Sequence, residues 1–446
     1  MVSRSISYPL AALLAWLAAA PLTLEAQASA ATPRQLSFAD AVRLASGEAP
    51  AVALATLKTD EADARVRQAR AALLPSLSVG GFWLNRSFNS RSIGISFPGF
   101  PELVGPFNNY DARVNATQTL FDWSSVARVR AAGAQADGSR AERGVTVEGS
   151  ALTAALAYLR TARAQAVVAA RQADSSVAAD LLGLAQAQKA AGVSAAIDVT
   201  RARAQLVAAE GLLIVARNQL DRGRIDVTRA LGLDSATPLV LTDTLTAALG
   251  AGQVPAERDS AVTAALANRP DLRAELARAA AARQTGSAIR AERLPRLELA
   301  ADYGVNGPTV PTAIVTRQLA LQVSVPILDG FRREARVAEQ NAVVRESQVR
   351  EADLRRQIAA EVDAALLDLR SAEAQQAVAA EQLRLAEDEL SQARERFKAG
   401  VAGNIEIITA QSSLIRARDT DIDARFAAAL ARISLARAAG VARTLH

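Results

Sequence analysis

A chain of 446 residues, half of them apolar, has ample material for a core, yet only 4% are aromatic and alanine carries much of the apolar character, which favours long helices packed at short range. There is no cysteine and a single histidine, His446, so thiolate chemistry, a zinc centre and a Ser-His-Asp triad are unsupported and no enzyme is indicated. The 51 basic and 46 acidic residues are mixed along the chain without a basic block, which leaves no nucleic-acid signature.

Arg4, the apolar run Leu10 to Ala20 and the small residues Ala26-Gln27-Ala28 make residues 1–28 an expected secretory signal peptide. No cysteine follows to carry a lipid anchor, and no later apolar run reaches the ~20 residues of a membrane helix. Any membrane insertion is therefore expected through strands.

The remainder reads as one unit written twice. Ala41-Val42, Pro50 and Leu74-Pro75 align with Ala261-Val262, Pro270 and Leu294-Pro295 at a shift of 220. Phe121-Asp122 aligns with Leu328-Asp329 at 207, and Gly192-Val193, Ile197-Asp198 and Gly232 align with Gly400-Val401, Ile405-Glu406 and Gly440 at 208. The first copy thus carries 13 extra residues, placed in the Gly-, Pro-, Ser- and Asn-rich stretch 86–110, which reads as a loop. The first repeat is set at 36–233 and the second at 259–440, joined by a linker over 234–258.

In chain order each repeat is expected to hold a helix stopped at the Leu-Pro pair, two strands, a very long helix, a sharp turn and a returning helix. Strands are predicted at about 76–90 and 110–122, then at 296–306 and 314–328. Arg113, Asn115, Thr117 and Thr119 alternate with Val114, Ala116 and Leu120, and Leu319, Leu321, Val323 and Val325 alternate with Gln318, Ala320, Gln322 and Ser324. Roughly ten residues with one apolar face suit a tilted membrane strand around a wet interior, and a soluble hairpin on a core is the other reading. Nine of the chain's 17 aromatics fall between Phe82 and Trp123, where interface girdles would be needed, and this favours the membrane. Four strands cannot close a barrel, since ~8 is the minimum, so copies would have to pool them, and three copies give twelve.

The second long helix keeps a 4-3 apolar spacing from Ile358 to Phe397, with alanine at one seam position from Ala365 to Ala393. The returning helix resumes it at Ile408, Ser412, Ile415 and Asp419, through Ile422, Ala429 and Ile433 to Gly440, as an antiparallel coiled coil requires. The first copy's seam is broken by Arg171, Ser175 and Lys189, so the two hairpins are expected in different surroundings. Each rod would run on the order of 100 Å.

At the turns, Gly192, Gly400 and Gly403 are expected to supply the backbone angles for reversal. Val193, Ile197 and Val199 in one tip, and Val401, Ile405 and Ile407 in the other, either staple the helices or form an exposed knob for a partner.

The Gly-Val turn followed by Ile-Asp or Ile-Glu, the Leu-Pro strand starts, the strand exits QTLFDW and VSVPILDG, and the duplication resemble the TolC-like outer membrane efflux family over about residues 36–440. The resemblance implies an α+β membrane protein, a homotrimer with a twelve-stranded outer membrane β-barrel continued by a helical barrel into the periplasm. It implies no cofactor, and a passive conduit whose tips, at Gly192, Val193, Ile197, Asp198, Gly400, Val401, Gly403 and Ile405, dock a periplasmic adaptor linked to an inner-membrane pump or ABC exporter. It also places Glu406 at a constriction ring, whereas the next acidic position falls on Thr409, and it turns Asp198 outward to the adaptor or a neighbouring hairpin. The competing class is a soluble periplasmic coiled-coil scaffold without a pore.

Overall fold

The computed structural model describes residues 34–446 apart from 95–96, 193, 235–236, 246–248, 251–253, 400 and 402. The expected signal peptide lies outside these residues.

The chain opens with β1 (Arg34–Leu36), α1 (Phe38–Glu48) and α2 (Pro50–Ala71). One helix was expected here. Two form because Pro50 occupies the first position of α2, where its missing N–H costs nothing and its ring forbids continuation from α1. Ser37 caps α1 by accepting the Asp40 N–H at 3.1 Å. The second repeat repeats the device with α5 (Arg258–Asn268) and α6 (Pro270–Ala291).

Four strands form one antiparallel sheet in the order β2-β3-β5-β6: β2 (Ser76–Asn89), β3 (Leu103–Asp122), β5 (Arg296–Gly307) and β6 (Ile314–Ser324). β3 is 20 residues long, because Leu103–Asn109, expected as loop, keep pairing with β2. β6 ends four residues before its expected limit of 328. Pro326 has no N–H to donate to a ladder, and its carbonyl is taken by the buried Arg333 guanidinium at 3.3 Å.

Two helices run the length of the rod, α3 (Trp123–Ala190, 68 residues) and α7 (Arg332–Lys398, 67 residues), and return as α4 (Ala196–Leu231) and α8 (Asn404–Ala438). Next to the sheet, α3 packs against α2 and α6, and α6 against α7. Toward the tips, α3 packs against α4 and α8, and α8 against α7. The helical layer therefore runs α2-α3-α6-α7 above and α4-α3-α8-α7 below.

The main core lies where the two repeats meet. It gathers Leu36 and Phe38, Tyr158 and Leu159 of α3, Val227 of α4 and Ile433 of α8. The expected linker is part of it: β4 (Leu239–Leu241) pairs in parallel with β1, and Leu239, Leu241, Leu245 and Leu249 are buried. The Tyr158 hydroxyl sits 3.0 Å from the Leu36 carbonyl and 3.1 Å from the Asp243 carboxylate, and accepts the Asp243 N–H. Burial and the adjacent carboxylate push that phenol well above its ordinary value, so it stays a donor.

Of the expected α7 seam, Ile358, Val362, Ala365, Ala372, Ala379, Ala386, Leu390, Ala393 and Phe397 are buried, and Leu369, Gln376 and Leu383 between them are half-buried. The α8 seam differs toward the tip. Ile407, Ala410, Gln411 and Leu414 are buried there, while Ile408, Ser412, Ile415 and Asp419 are half-buried. α8 is wedged between α7 and α3, with Leu181 of α3 in the same cluster, so its buried stripe is aimed between two partners. Farther up, Ile422, Ala429, Ile433 and Ala436 are buried as expected.

Candidate channel wall and hairpin tips

Cross-strand partners share a face of the sheet, so register assigns every side chain. One face carries Leu77 and Val79 of β2, Val114 and Ala116 of β3, Leu297, Leu299, Tyr303 and Val305 of β5, and Val315, Leu319, Leu321 and Val323 of β6, with Gln118 opposite Leu299 and the exposed Arg317 opposite Tyr303 as its polar members. Leu77, Val79, Leu319 and Val323 are all highly exposed. The other face carries Ser76 and Ser78, Arg113, Asn115 and Thr117, Glu298 and Asp302, and Gln318 and Gln322.

A charge cluster braces the polar face. Arg113 donates from Nε to Asp111 at 2.6 Å and from Nη1 to Asp302 on the next strand at 2.9 Å. Gly304 stands opposite Arg113, and a β-carbon there would collide with the arginine's own Cβ and with the Ala112 carbonyl. Only glycine leaves Arg113 room to cross to Asp302.

Neither layer is closed in one chain. β2 and β6 each have one unpaired edge among the described residues. In the rod, α7 is one flank and α2 with α4 the other. Both flanks keep large apolar side chains in solvent, Val207, Ile214 and Ile225 on α4 and Leu367, Val378 and Leu385 on α7.

The broken seam of the first hairpin is the interface between repeats. Arg171 reaches Asp174 at 2.9 Å and also binds Asp419 of α8, while Arg418 of α8 reaches the buried Asp174 at 2.6 Å. Arg163 adds a contact to Asp423 at 2.6 Å. Ser175 is half-buried and Lys189 exposed.

The two tips lie together, since Gln188 of α3 donates to the Phe397 carbonyl of α7 at 3.3 Å. Gly192 adopts φ +75°, the left-handed angle a reversal needs. Val193 and Gly400 lie outside the described residues. Gly403 departs from expectation: at φ −84° and ψ 164° it is an extended N-cap, a conformation open to any residue. The apolar set divides. Ile407 is fully buried and staples the hairpin, whereas Val401, Ile405 and Ile197 are more than half exposed. Val199 is half-buried.

The polar tip residues are held locally. Asp198 accepts from the Ser194 hydroxyl at 2.9 Å and lies 3.8 Å from Arg201. Glu406, in the first turn of α8, pairs with Arg396 of α7 at 2.8 Å. Thr409 turns its hydroxyl back onto the Ile405 carbonyl at 2.9 Å. Arg396 was missed in the sequence because its partner lies across the turn, outside the helical i, i+4 spacing.

Among the described residues no helix is long and apolar enough to cross a membrane. A sheet with one mainly apolar exposed face and one braced polar face, continuous with a long helical rod, has the pattern of a membrane β-wall left open in a single chain. The chain belongs to the outer membrane efflux protein family, whose sequence model matches residues 41–233 and again 261–441. It is 26% identical over 393 residues to Protein CyaE of Bordetella pertussis strain Tohama I, covering 87% of this chain and 80% of that protein. It is 24% identical over 405 residues to the pyoverdine export outer membrane protein OpmQ of Pseudomonas putida strain KT2440, covering 90% and 84%. Its fold is similar to that of the outer membrane protein VceC of Vibrio cholerae, with a TM-score of 0.71, 18% identity and 90% and 96% of the two chains covered. The protein is an outer membrane efflux channel protein.

Proposed function

We propose that three copies close into a twelve-stranded β-barrel continued by a helical barrel, a passive conduit from periplasm to exterior. The observation that carries this is the matching pair of open flanks. In both layers the first repeat supplies one free edge (β2; α2 and α4) and the second supplies the other (β6; α7). Head-to-tail joining therefore pairs unlike edges at every junction, which is how cyclic symmetry closes. Light scattering of the mature chain in detergent is expected to give three copies, and planar bilayers to show discrete channels. A single copy that stays dissolved in plain buffer would instead make the chain a soluble scaffold.

The exposed Ile197, Val401 and Ile405 are the contact surface for a periplasmic adaptor bridging to an inner-membrane pump or exporter, with Asp198 at the rim. Ile197→Asp combined with Ile405→Asp is expected to abolish adaptor capture while leaving the trimer intact. Thr409 lines the constriction beside Glu406, whose carboxylate is partly offset by Arg396. Single-channel recordings should then show Arg396→Gln more cation-selective than the parent, and Glu406→Gln less. Equal selectivity in all three would remove Glu406 from the constriction.

A further inference from the structure

β2 and β3 continue beyond their neighbours. β3 last pairs with β5 at Tyr110 opposite Gly307, whereas β2 and β3 stay paired as far as Asn89 opposite Leu103. Along this overhang the face of Asp111 and Arg113 gains apolar groups: it carries Phe82, Leu84, Arg86, Phe107 and Asn109, and the opposite face carries Trp83 and Tyr110 with Asn85 and Asn108. Trp83 and Asn85 both donate to the Asn108 carbonyl, at 3.2 and 2.8 Å. Apolar groups thus stand on the channel side, where nearer the rod the same face is polar.

These groups line an open groove of about 440 Å³, with Phe82, Leu84, Arg86, Phe107, Asn109 and Pro308 among its walls, a volume in the range of small-molecule sites. Its cation is unneutralised. The Arg86 guanidinium lies 5.6 Å from the Phe107 ring centre and 5.9 Å from that of Phe88, and among the described residues no carboxylate pairs with it. A guanidinium resting on a ring keeps its N–H edge available for an anion. The two phenylalanine rings meet edge to face at 6.1 Å, which fixes the wall against which a flat ligand would lie.

We propose that this groove is a binding site at the outer mouth of the channel for a small aromatic anion, its ring against Phe82 and Phe107 and its acid group on Arg86 and the Asn109 carboxamide. The proposal rests on the reading of this face as channel lining. The site itself lies within a single chain.

Isothermal titration of 2-naphthoate into the full mature chain in lipid nanodiscs tests it. The expected result is saturable binding of one naphthoate per chain, weakened at least tenfold by Arg86→Gln and by Phe107→Ala. Neutral 2-naphthalenemethanol and aliphatic hexanoate should each bind at least tenfold more weakly than naphthoate. Non-saturable uptake equal in parent, Arg86→Gln and protein-free nanodiscs overturns the site, as does equal affinity for the three probes. Light scattering on the same samples keeps the two readings apart. A trimer without saturable binding sinks the site alone, and a chain that does not assemble sinks the channel reading whatever the titration shows.

Discussion

Gly232 and Gly440 occupy the same place in the two repeats, and each abuts the start of a proline-led helix. Each follows its helix in the left-handed region, at φ +68° and +72°. A β-carbon on Gly232 would meet the Pro50 ring, and one on Gly440 would lie 2.8 Å from the Arg269 backbone beside Pro270. α4 therefore ends against the start of α2, and α8 against the start of α6. Gly232→Ala adds left-handed strain of ~1–2 kcal/mol before any clash is counted, and a lowered thermal transition in detergent is its expected signature. At the second joint Arg269, almost fully buried, binds Asp271 at 2.6 Å and Glu361 of α7. Burial pushes both carboxyls up, but the hydrogen bonds and charge of Arg269 outweigh it and hold them below their ordinary values. Their folded values being depressed, the stabilisation is complete above the unfolded values of about 4 and is lost as the pH falls through the lower folded values. Arg269→Met should cost about 3 kcal/mol at pH 7 and flatten the acid limb of a stability profile. None of this was visible in the sequence beyond the repeated glycine and proline themselves, because the contact joins residues 182 and 171 positions apart.

Among elements, the strands were legible wherever polar and apolar residues alternate. β5 and the paired body of β3 fell close to their expected bounds. Legibility failed at Leu103–Asn109, where a glycine and a proline imitate a loop and the strand is kept by its partner β2. It failed again in α8, where a period set by one neighbour could not anticipate a second. The face assignment has a direct check. Leu321→Arg places a charge on the exposed apolar face and should destabilise the assembled channel by ~2–4 kcal/mol if that face meets lipid. Gln322→Arg, one residue along and on the polar face, should leave assembly unchanged. Heat-dissociation midpoints of the assembled species on gels distinguish them, and equal midpoints would refute the assignment.

At the scale of the whole molecule, duplication and rod were readable because both are long-range regularities. The order of helices around the layer was not, since periodicity tells which face is apolar and not whose face covers it. Although the first repeat carries 13 extra residues ahead of its rod, α3 and α7 differ by a single residue in length and α4 and α8 likewise. The rods thus act as paired rulers of about 100 Å, and a ruler made of helix also sets phase. Deleting one residue midway along α7 rotates everything beyond it by about 100°, turning its alanine seam away from α8. Deleting seven facing residues from each of α7 and α8, with the same cut in α3 and α4, shortens the rod by roughly 10 Å and disturbs the azimuth by only ~20°. The heptad-trimmed chain should still form conducting channels, and the one-residue deletion should not. Any change in the distance this conduit spans must then come in whole repeats.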